Sequence, residues 1–201
     1  MIKRLNRLYM VRHGQVVGHE TMTIYGSTDV EITDLGKAQM EHLAEKLRFT
    51  EIDVIYSSTL KRAVIGAQMI GRWHAGPIFN LPELAEMDFG VWEGLAFSEI
   101  AEQFKDELAQ RQMDIKHFRA PAARENIQDL AERVLGCVKN IRQKHASQNI
   151  LLVGHGGVNR VILCDALGLD LSRVYRLHQD YGCLNIIDYF SDSTLVRLVN
   201  G

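Results

Sequence analysis

The stretch NRLYMVRHGQ, residues 6–15, decides how the chain is interpreted. An apolar run over residues 8–11 ends directly in Arg12-His13-Gly14. A short apolar run of this kind predicts a buried strand. In open α/β sheets, ligands bind beyond the carboxyl ends of the strands. The alternative is an ordinary surface turn, but an arginine and a histidine at a strand end favour a site for an anionic ligand.

The composition is typical of an ordinary globular protein, with 46% hydrophobic and 24% charged residues in 201. The formal net charge of -2 argues against a nucleic-acid binder that works through bulk charge. Three scattered cysteines predict no disulfide framework, and no run of about 18 apolar residues predicts a membrane span. The basic N-terminus lacks the apolar core of a signal peptide. We therefore expect one domain over residues 1–201 in the cytoplasm, with neither a nucleic-acid nor a membrane partner.

Strand and helix patterns alternate along the chain. Further strands are predicted over 53–56, 77–80, 149–153, 184–189 and 194–199. Residues 77–80 are interpreted as an edge segment, and the last two strands as a C-terminal hairpin. Helices are predicted over 36–48, 60–73, 98–110, 126–145 and 158–167. This alternation predicts an α/β three-layer sandwich, with a mostly parallel central sheet and helices on both faces. Residues 87–125 fit least well and are interpreted as a helical lid excursion.

Side chains near the helix starts add detail to this prediction. Thr33-Asp34 can cap the first helix, and Ser57-Ser58-Thr59 offers the same chemistry before the second. The first helix is expected to bury one face that contains Ala38, Leu43, Ala44 and Leu47.

A second histidine follows another predicted strand, because residues 149–153 lead into Gly154-His155-Gly156-Gly157. If the two strands are parallel, the side chains of His13 and His155 converge at one edge of the sheet. Arg62 falls in the first turn of the helix after Ser57-Ser58-Thr59. Helical side chains tilt towards the N-terminus, so Arg62 can reach the same edge, whereas Lys61 is expected to face solvent.

These residues predict a strongly cationic pocket. Gly14 is expected to leave room for a ligand, and the amides of Gly156 and Gly157 at a helix start can donate to an anion. A phosphate suits the pocket, because arginine binds phosphoryl oxygens bidentately. Nearby cations should lower the pKa of the histidines, and a neutral imidazole can act as a nucleophile.

Residues 81–94, LPELAEMDFGVWEG, offer an acid for the leaving oxygen. The candidates are Glu83, Glu86, Asp88 and Glu93. Apolar neighbours would raise the pKa of Glu86, and the arginines would lower it. Spacing alone leaves Glu83 and Glu86 as alternatives.

Five motifs together resemble the histidine phosphatase superfamily, in its phosphoglycerate mutase-like branch. They are VRHGQ at 11–15, GSTDVEITDLGKAQ at 26–39, YSSTLKRA at 56–63, ELAEMDFGVWEG at 83–94 and VGHGG at 153–157. The resemblance covers nearly the whole chain. It implies that His13 is the nucleophile that becomes phosphohistidine and that Glu86 is the proton donor. It also implies that Arg12, Arg62 and His155 hold the phosphoryl group, without a cofactor.

The resemblance also bears on the substrate. The short length is similar to that of the small phosphatases, not of the longer cofactor-dependent mutases. The C-terminal HQDYGCLNIIDYFSDSTLVRLVN resembles α-ribazole phosphatases of cobalamin biosynthesis, which implies α-ribazole 5′-phosphate, a small phosphate monoester, as substrate. Gln15, His19 and Gly156 are further expected substrate contacts. His19 stands where many members have asparagine, and Arg124 stands where a glycine precedes glutamate.

The same residues leave room for three other interpretations of the site. A phosphoglycerate mutase-type transferase would return the phosphoryl group to substrate, and a non-catalytic protein would only bind a phospho-ligand. A metal site at the two histidines would need three or more ligands with carboxylate or thiolate help. The neighbours are arginines, which repel a cation, so we expect no metal and activity that persists in EDTA. A homodimer is expected from base rates.

Overall fold

A computed structural model describes residues 3–201, and its centre is one six-stranded sheet. The strands are β1 (Arg4–Arg12), β2 (Val54–Ser57), β3 (Ile78–Asn80), β4 (Asn149–Gly154), β5 (Leu184–Phe190) and β6 (Thr194–Leu198). They lie in the order β3-β2-β4-β1-β5-β6. The first four in this order are parallel to one another, β5 is antiparallel to β1, and β6 is antiparallel to β5. The mostly parallel sheet, the β3 edge and the C-terminal hairpin are thus confirmed.

Helices cover both faces of the sheet. They are α1 (Asp34–Leu47), α2 (Lys61–Gly71), α3 (Phe97–Gln103), α4 (Lys105–Met113), α5 (Ile127–Lys144) and α6 (Gly156–Leu167). Leu8 and Met10 of β1 pack with α5 and α6, and Tyr9 and Val11 pack with α1 and α2. Side chains of a strand alternate between faces, so a strand covered on both sides is a continuous apolar run. The three-layer α/β fold is therefore confirmed.

The first two helices differ in detail from the sequence prediction. Thr33 caps α1 as expected, because its hydroxyl accepts a hydrogen bond from the amide of Gly36 at 3.0 Å. The placement of Ala38 on the buried face was wrong, since Ala38 is exposed. Gly36 and Met40 are buried instead. Each is two residues from Ala38, which places it on roughly the opposite side of the helix. Helix α2 has no side-chain cap, because Leu60 occupies that position.

Residues 87–125 form a helical excursion, as expected, but the single helix predicted over 98–110 is two helices. Phe104 adopts non-helical dihedral angles (φ −125°, ψ 47°) and separates α3 from α4. The excursion has a small core of its own, which includes Trp92, Ile100 and Ala120. The Trp92 ring stacks on Phe118 with 5.5 Å between the centroids. That the excursion acts as a lid stays a prediction.

The structure assigns Gly14 a role different from the expected one. A Cβ atom at Gly14 would lie 2.2 Å from the carbonyl oxygen of Gly36, and a Cβ at Gly36 would lie 2.1 Å from the carbonyl oxygen of Gln15. The backbone after β1 and the first turn of α1 therefore touch directly. Gly14 leaves room for a helix at this point, and the expectation that it clears space for a ligand was wrong.

Between residues 3 and 201, no helix is both long enough and apolar enough to cross a membrane.

Replacing Gly36 by alanine should destabilise the fold by about 1–3 kcal/mol or more, because backbone atoms cannot move aside as a side chain can. The matched control is Gly136→Ala in α5, where a Cβ meets nothing within 4 Å. That change should stabilise the protein by about 0.5–1 kcal/mol, since glycine is unfavourable inside a helix. Denaturant unfolding measures both values. Equal effects of the two substitutions would contradict the backbone contact.

Candidate active site

The parallel pairing of β1 with β4 brings the two histidines together. Arg12 lies opposite Gly154 in the register of the two strands, so His13 and His155 are the next residues on neighbouring strands. The amide of His13 donates to the carbonyl oxygen of Gly154 at 3.0 Å. The ring centroids of the histidines are 5.1 Å apart, and the two rings meet edge to face. Both side chains are buried.

His13 is held as a neutral imidazole with one free nitrogen. Its Nδ1 lies 2.8 Å from the carbonyl oxygen of Gly14, which can only accept a hydrogen bond. Nδ1 therefore carries the proton, and the lone pair is on Nε2. Burial lowers the pKa of His13 well below its ordinary value, and the charges of Arg12 and Arg62 lower it further. The predicted direction is confirmed, although burial contributes more than the cations.

His155 lies in a similar environment. Burial lowers its pKa well below the ordinary value, and His13, Arg62 and Arg12 add to this effect. The Nε2 atom lies 2.7 Å from the hydroxyl of Ser58 at the end of β2. His155 also occupies the N-cap position of α6, so its backbone begins the helix that follows β4.

Arg12 is fixed by the segment that precedes β5. Its Nη1 donates to the carbonyl oxygen of Gln179 at 2.6 Å, and the guanidinium lies 3.8 Å above the ring of Tyr181. The same tyrosine ring lies 5.6 Å from the ring of His13. The Nε atom of Arg12 is buried and has no protein acceptor within residues 3–201. This donor therefore remains available for a ligand.

Arg62 reaches the same edge from the first turn of α2, as predicted. Its Nη1 donates to the carbonyl oxygen of Thr28 at 2.7 Å, and its Nη2 donates to that of Gly26 at 2.6 Å. The loop that supplies these carbonyls is held by Glu93, which accepts from the amides of Ser27 and Thr28 at 2.8 and 2.9 Å. Lys61 is exposed, as expected.

The structure separates the four candidate acids. Glu86 reaches the start of α6, where its Oε2 accepts from the amide of Gly157 at 2.8 Å. Glu93 holds the loop beneath Arg62, and Asp88 is paired with the guanidinium of Arg124. The carbonyl oxygen of Glu83 accepts from Arg133 at 2.7 Å. Glu86 is thus the candidate that lies beside the second histidine.

The contact with Glu86 changes the expectation for the helix start. The Gly157 amide was expected to be free to donate to an anionic ligand, but it donates to the carboxylate of Glu86. A Cβ at residue 157 would lie 2.3 Å from Glu86 Oε1, so glycine permits this approach. Gly156 opens α6 at the position where an amide has no acceptor within the helix. Its role in phosphate binding stays a prediction.

Gln15 and His19, the two other predicted substrate contacts, lie in the segment between β1 and α1. The Oε1 atom of Gln15 accepts from Thr33 at 2.9 Å. His19 lies on a short 3-10 turn, with its Nδ1 3.2 Å from a carboxylate oxygen of Glu20. The part that Gln15 and His19 play in substrate binding stays a prediction.

Sequence reasoning missed three neighbours of the catalytic candidates. Ser58 lies within the YSSTLKRA motif, but its contact with His155 crosses 97 positions of sequence. Gln179 and Tyr181 belong to HQDYG, a polar run directly before a predicted strand. The sequence signal for these three residues was their position as polar side chains next to an apolar strand. That signal is weak, because turns are commonly polar.

A charged cavity of about 390 Å³ adjoins Glu86. Its lining residues are Ser27, Pro82, Ala85, Glu86, Asp88, Arg124, Glu125 and Arg133. Arg133 is paired with Glu125 at 2.6 Å, as Arg124 is with Asp88. Arg124, the residue at which the sequence departs from the family pattern, lies in the wall of this cavity.

Throughout the described part of the chain, no three His, Cys, Asp or Glu side chains are grouped so as to hold a metal ion.

The fold and these residues together define a histidine phosphatase, and the chain belongs to the histidine phosphatase superfamily, branch 1, whose family model matches residues 8–201. It is 28% identical over 179 residues to phosphoserine phosphatase 1 of Hydrogenobacter thermophilus, covering 89% of this chain and 82% of that protein. It is 26% identical over 194 residues to adenosylcobalamin/α-ribazole phosphatase of Escherichia coli, covering 96% and 95%. The α-ribazole phosphatase from Shigella flexneri has a similar structure, with a TM-score of 0.87 at 26% identity over 97% of this chain and 96% of that one. The predicted family is confirmed.

The two buried histidines should make the fold less stable in mild acid. Because the pKa of each is lowered in the folded protein, the unfolded chain binds protons at a pH where the native protein does not. The free energy of unfolding should therefore fall as the pH drops below about 6.5, by up to about 1.4 kcal/mol per pH unit for each histidine. Denaturant unfolding between about pH 7 and pH 5 measures this slope.

Two variants test whether the buried histidines cause this pH dependence of the free energy of unfolding. His155→Asn should reduce it, because one of the two groups that must stay neutral is removed. His42→Asn, at an exposed position of α1, is the matched control and should leave it unchanged. Identical slopes for the His155 variant and the parent protein would contradict the assignment.

Proposed function

We propose that this protein is a phosphomonoester phosphatase that works through a phosphohistidine at His13. The supporting observation is the hydrogen bond from His13 Nδ1 to the carbonyl oxygen of Gly14, which leaves the Nε2 lone pair free. A neutral, oriented imidazole of this kind is a competent nucleophile. The two arginines and the second histidine around it supply the charge and the donors that phosphoryl transfer needs.

In the first step, the phosphoryl oxygens bind to Arg12, Arg62 and His155. His13 Nε2 attacks phosphorus, a P–N bond forms, and the P–O bond to the leaving group breaks with its electron pair on oxygen. Glu86, in its acid form, gives that oxygen a proton, so that an alcohol departs. Arg12 Nε, buried without a protein acceptor within residues 3–201, is a donor suited to the phosphoryl oxygens.

In the second step, Glu86 acts as a base. It takes a proton from water, the water oxygen attacks phosphorus, and the P–N bond breaks to return His13. Inorganic phosphate then leaves, and Glu86 has regained the proton that it lost. Fixed cations stabilise the charge in both steps, which supports a reaction that needs no metal and continues in EDTA.

For the substrate, we propose α-ribazole 5′-phosphate. The C-terminal resemblance supports it, as does the likeness to two proteins that carry that name. Phosphoserine is a second candidate, because another relative is named a phosphoserine phosphatase. The charged cavity beside Glu86 favours this second candidate, since a serine leaving group carries both an ammonium and a carboxylate. In either case the partner is a small phosphate monoester.

Trapping the intermediate tests the reaction. With labelled p-nitrophenyl phosphate, whose leaving group needs little protonation, Glu86→Gln should accumulate an acid-labile, base-stable label. The reason is that the second step still requires a base, and loss of a general base slows a step by about 10²–10⁴-fold. His13→Ala should show neither label nor turnover.

The same experiment separates the alternatives. A His13→Ala variant with full turnover would exclude the phosphohistidine. A mutase would form the label but release little phosphate from a single monophosphate substrate. A non-catalytic binding protein would form no label with any variant.

A substrate panel tests the second part of the proposal. The value of kcat/KM for α-ribazole 5′-phosphate should exceed those for phosphoserine, sugar phosphates and phosphoglycerates by at least about tenfold. Arg124→Ala serves as a probe of the charged cavity and should affect phosphoserine most, through its carboxylate. A preference for phosphoserine that disappears in Arg124→Ala would replace α-ribazole phosphate with the second candidate.

A further inference from the structure

Ser58 is the one side chain within residues 3–201 that forms a hydrogen bond with the ring of His155. The Ser58 hydroxyl and His155 Nε2 are 2.7 Å apart, and both residues are fully buried. The contact joins the end of β2 to the start of α6. The other ring nitrogen, Nδ1, is buried and has no protein partner in the same described range.

The direction of this hydrogen bond follows from the surroundings of Ser58. Its hydroxyl oxygen accepts from the amide of Leu60 at 3.3 Å. Leu60 is the N-cap residue of α2, and its side chain forms no capping hydrogen bond. Of the two atoms that the Ser58 hydroxyl contacts within residues 3–201, Leu60 N–H can only donate, so His155 Nε2 is the one available acceptor for the hydroxyl proton. A neutral imidazole that accepts at Nε2 carries its proton on Nδ1. His155 is then a donor at the nitrogen that has no protein partner.

This tautomer matters for an anionic ligand. With the proton on Nδ1, His155 can donate a hydrogen bond to a phosphoryl oxygen. With the proton on Nε2, the lone pair of Nδ1 would face that oxygen and repel it. Burial opposes a second proton on the ring, and the charges of Arg62 and Arg12 add to this effect, so the choice is between two neutral forms.

We propose that Ser58 is a positioning residue that holds His155 in the tautomer with the proton on Nδ1, ready to bind a phosphoryl oxygen. The inference rests on the proposed function for the identity of the ligand. The hydrogen bond itself does not depend on catalysis. Ser58 acts through His155 and does not touch the phosphoryl group.

The chain offers a matched control in the preceding residue. Ser57 is also a fully buried serine, but its hydroxyl lies 2.8 Å from the carbonyl oxygen of Ser58 and 2.8 Å from Asn80 Oδ1, away from His155. Ser57→Ala and Ser58→Ala remove the same atom from adjacent positions of one strand end. Only Ser58→Ala removes the donor to the histidine.

Nitrogen-15 NMR of the histidine rings provides a readout that is independent of turnover. In the parent protein, His155 should show a protonated Nδ1, and the spectrum of His155→Asn assigns the signal. In Ser58→Ala the signal should shift towards a mixture of tautomers, whereas Ser57→Ala should leave it in place. A parent spectrum with the proton on Nε2 would overturn the proposal, even if no serine variant folds.

Phosphate binding provides the functional readout. Ser58→Ala should weaken competitive inhibition by inorganic phosphate by about 10–100-fold, the worth of one hydrogen bond to a charged group. Ser57→Ala should stay near the parent value, and Ser58→Thr, which keeps the hydroxyl, should recover most of the loss. Equal inhibition constants for the two alanine variants would refute the positioning role.

The failures of the two proposals can be distinguished. If no label forms on His13 but the Nδ1 proton is present and depends on Ser58, the tautomer assignment stands and the phosphatase proposal fails. If the label forms and the proton is on Nε2, the phosphatase proposal stands and the role of Ser58 fails.

Discussion

The parallel register between β1 and β4 is the constraint on which the site depends. It places Arg12 opposite Gly154, and the next residue of each strand is a histidine. Because both imidazoles are buried and close to two arginines, the neutral form is favoured in each. The neutral imidazole of His13 therefore results from the backbone arrangement of the sheet together with burial, and the carbonyl of Gly14 selects its tautomer.

The way in which the arginines are held keeps their charge available. Arg12 donates to the carbonyl of Gln179, and Arg62 donates to those of Gly26 and Thr28. Carbonyl oxygens orient a guanidinium without cancelling its charge. Arg7, in the same strand as Arg12, provides a contrast, because it forms a bidentate ion pair with the carboxylate of Asp188 at 2.6 and 2.7 Å. Arg7 is a structural cation, whereas the cations at the strand end can bind an anion.

The cavity beside Glu86 differs from the surroundings of the two histidines. The charges that line the cavity beside Glu86 are already paired, Arg124 with Asp88 and Arg133 with Glu125. Arg133 also donates to the carbonyl oxygens of Glu83 and Ala85, and so ties α5 to the segment that carries the acid. The residues around the two histidines and those that line the cavity beside Glu86 thus come largely from different segments of the chain.

Local patterns in the sequence determined the strands, most of the helices and the residues that follow each strand. These features depend on side-chain periodicity and on the chemistry of neighbouring residues, both of which can be read along the chain. The same patterns placed Ala38 on the buried face of α1 and predicted one helix where Phe104 separates α3 from α4. Both predictions were wrong because tertiary packing decides which face is buried and where a helix breaks. They also led us to expect that Gly14 makes room for a ligand, whereas it makes room for the backbone of Gly36.

Only the tertiary structure decided which partners complete the site. The hydrogen bonds between Ser58 and His155, between Arg12 and Gln179 and between Gly157 and Glu86 each join segments far apart in the chain. Their existence depends on strand order and on the register of the sheet, which spacing along a single sequence does not encode. The sequence by itself therefore determined which chemical groups stand at the strand ends. The fold decided which nitrogen of each histidine is free, because that depends on an acceptor or donor brought from elsewhere.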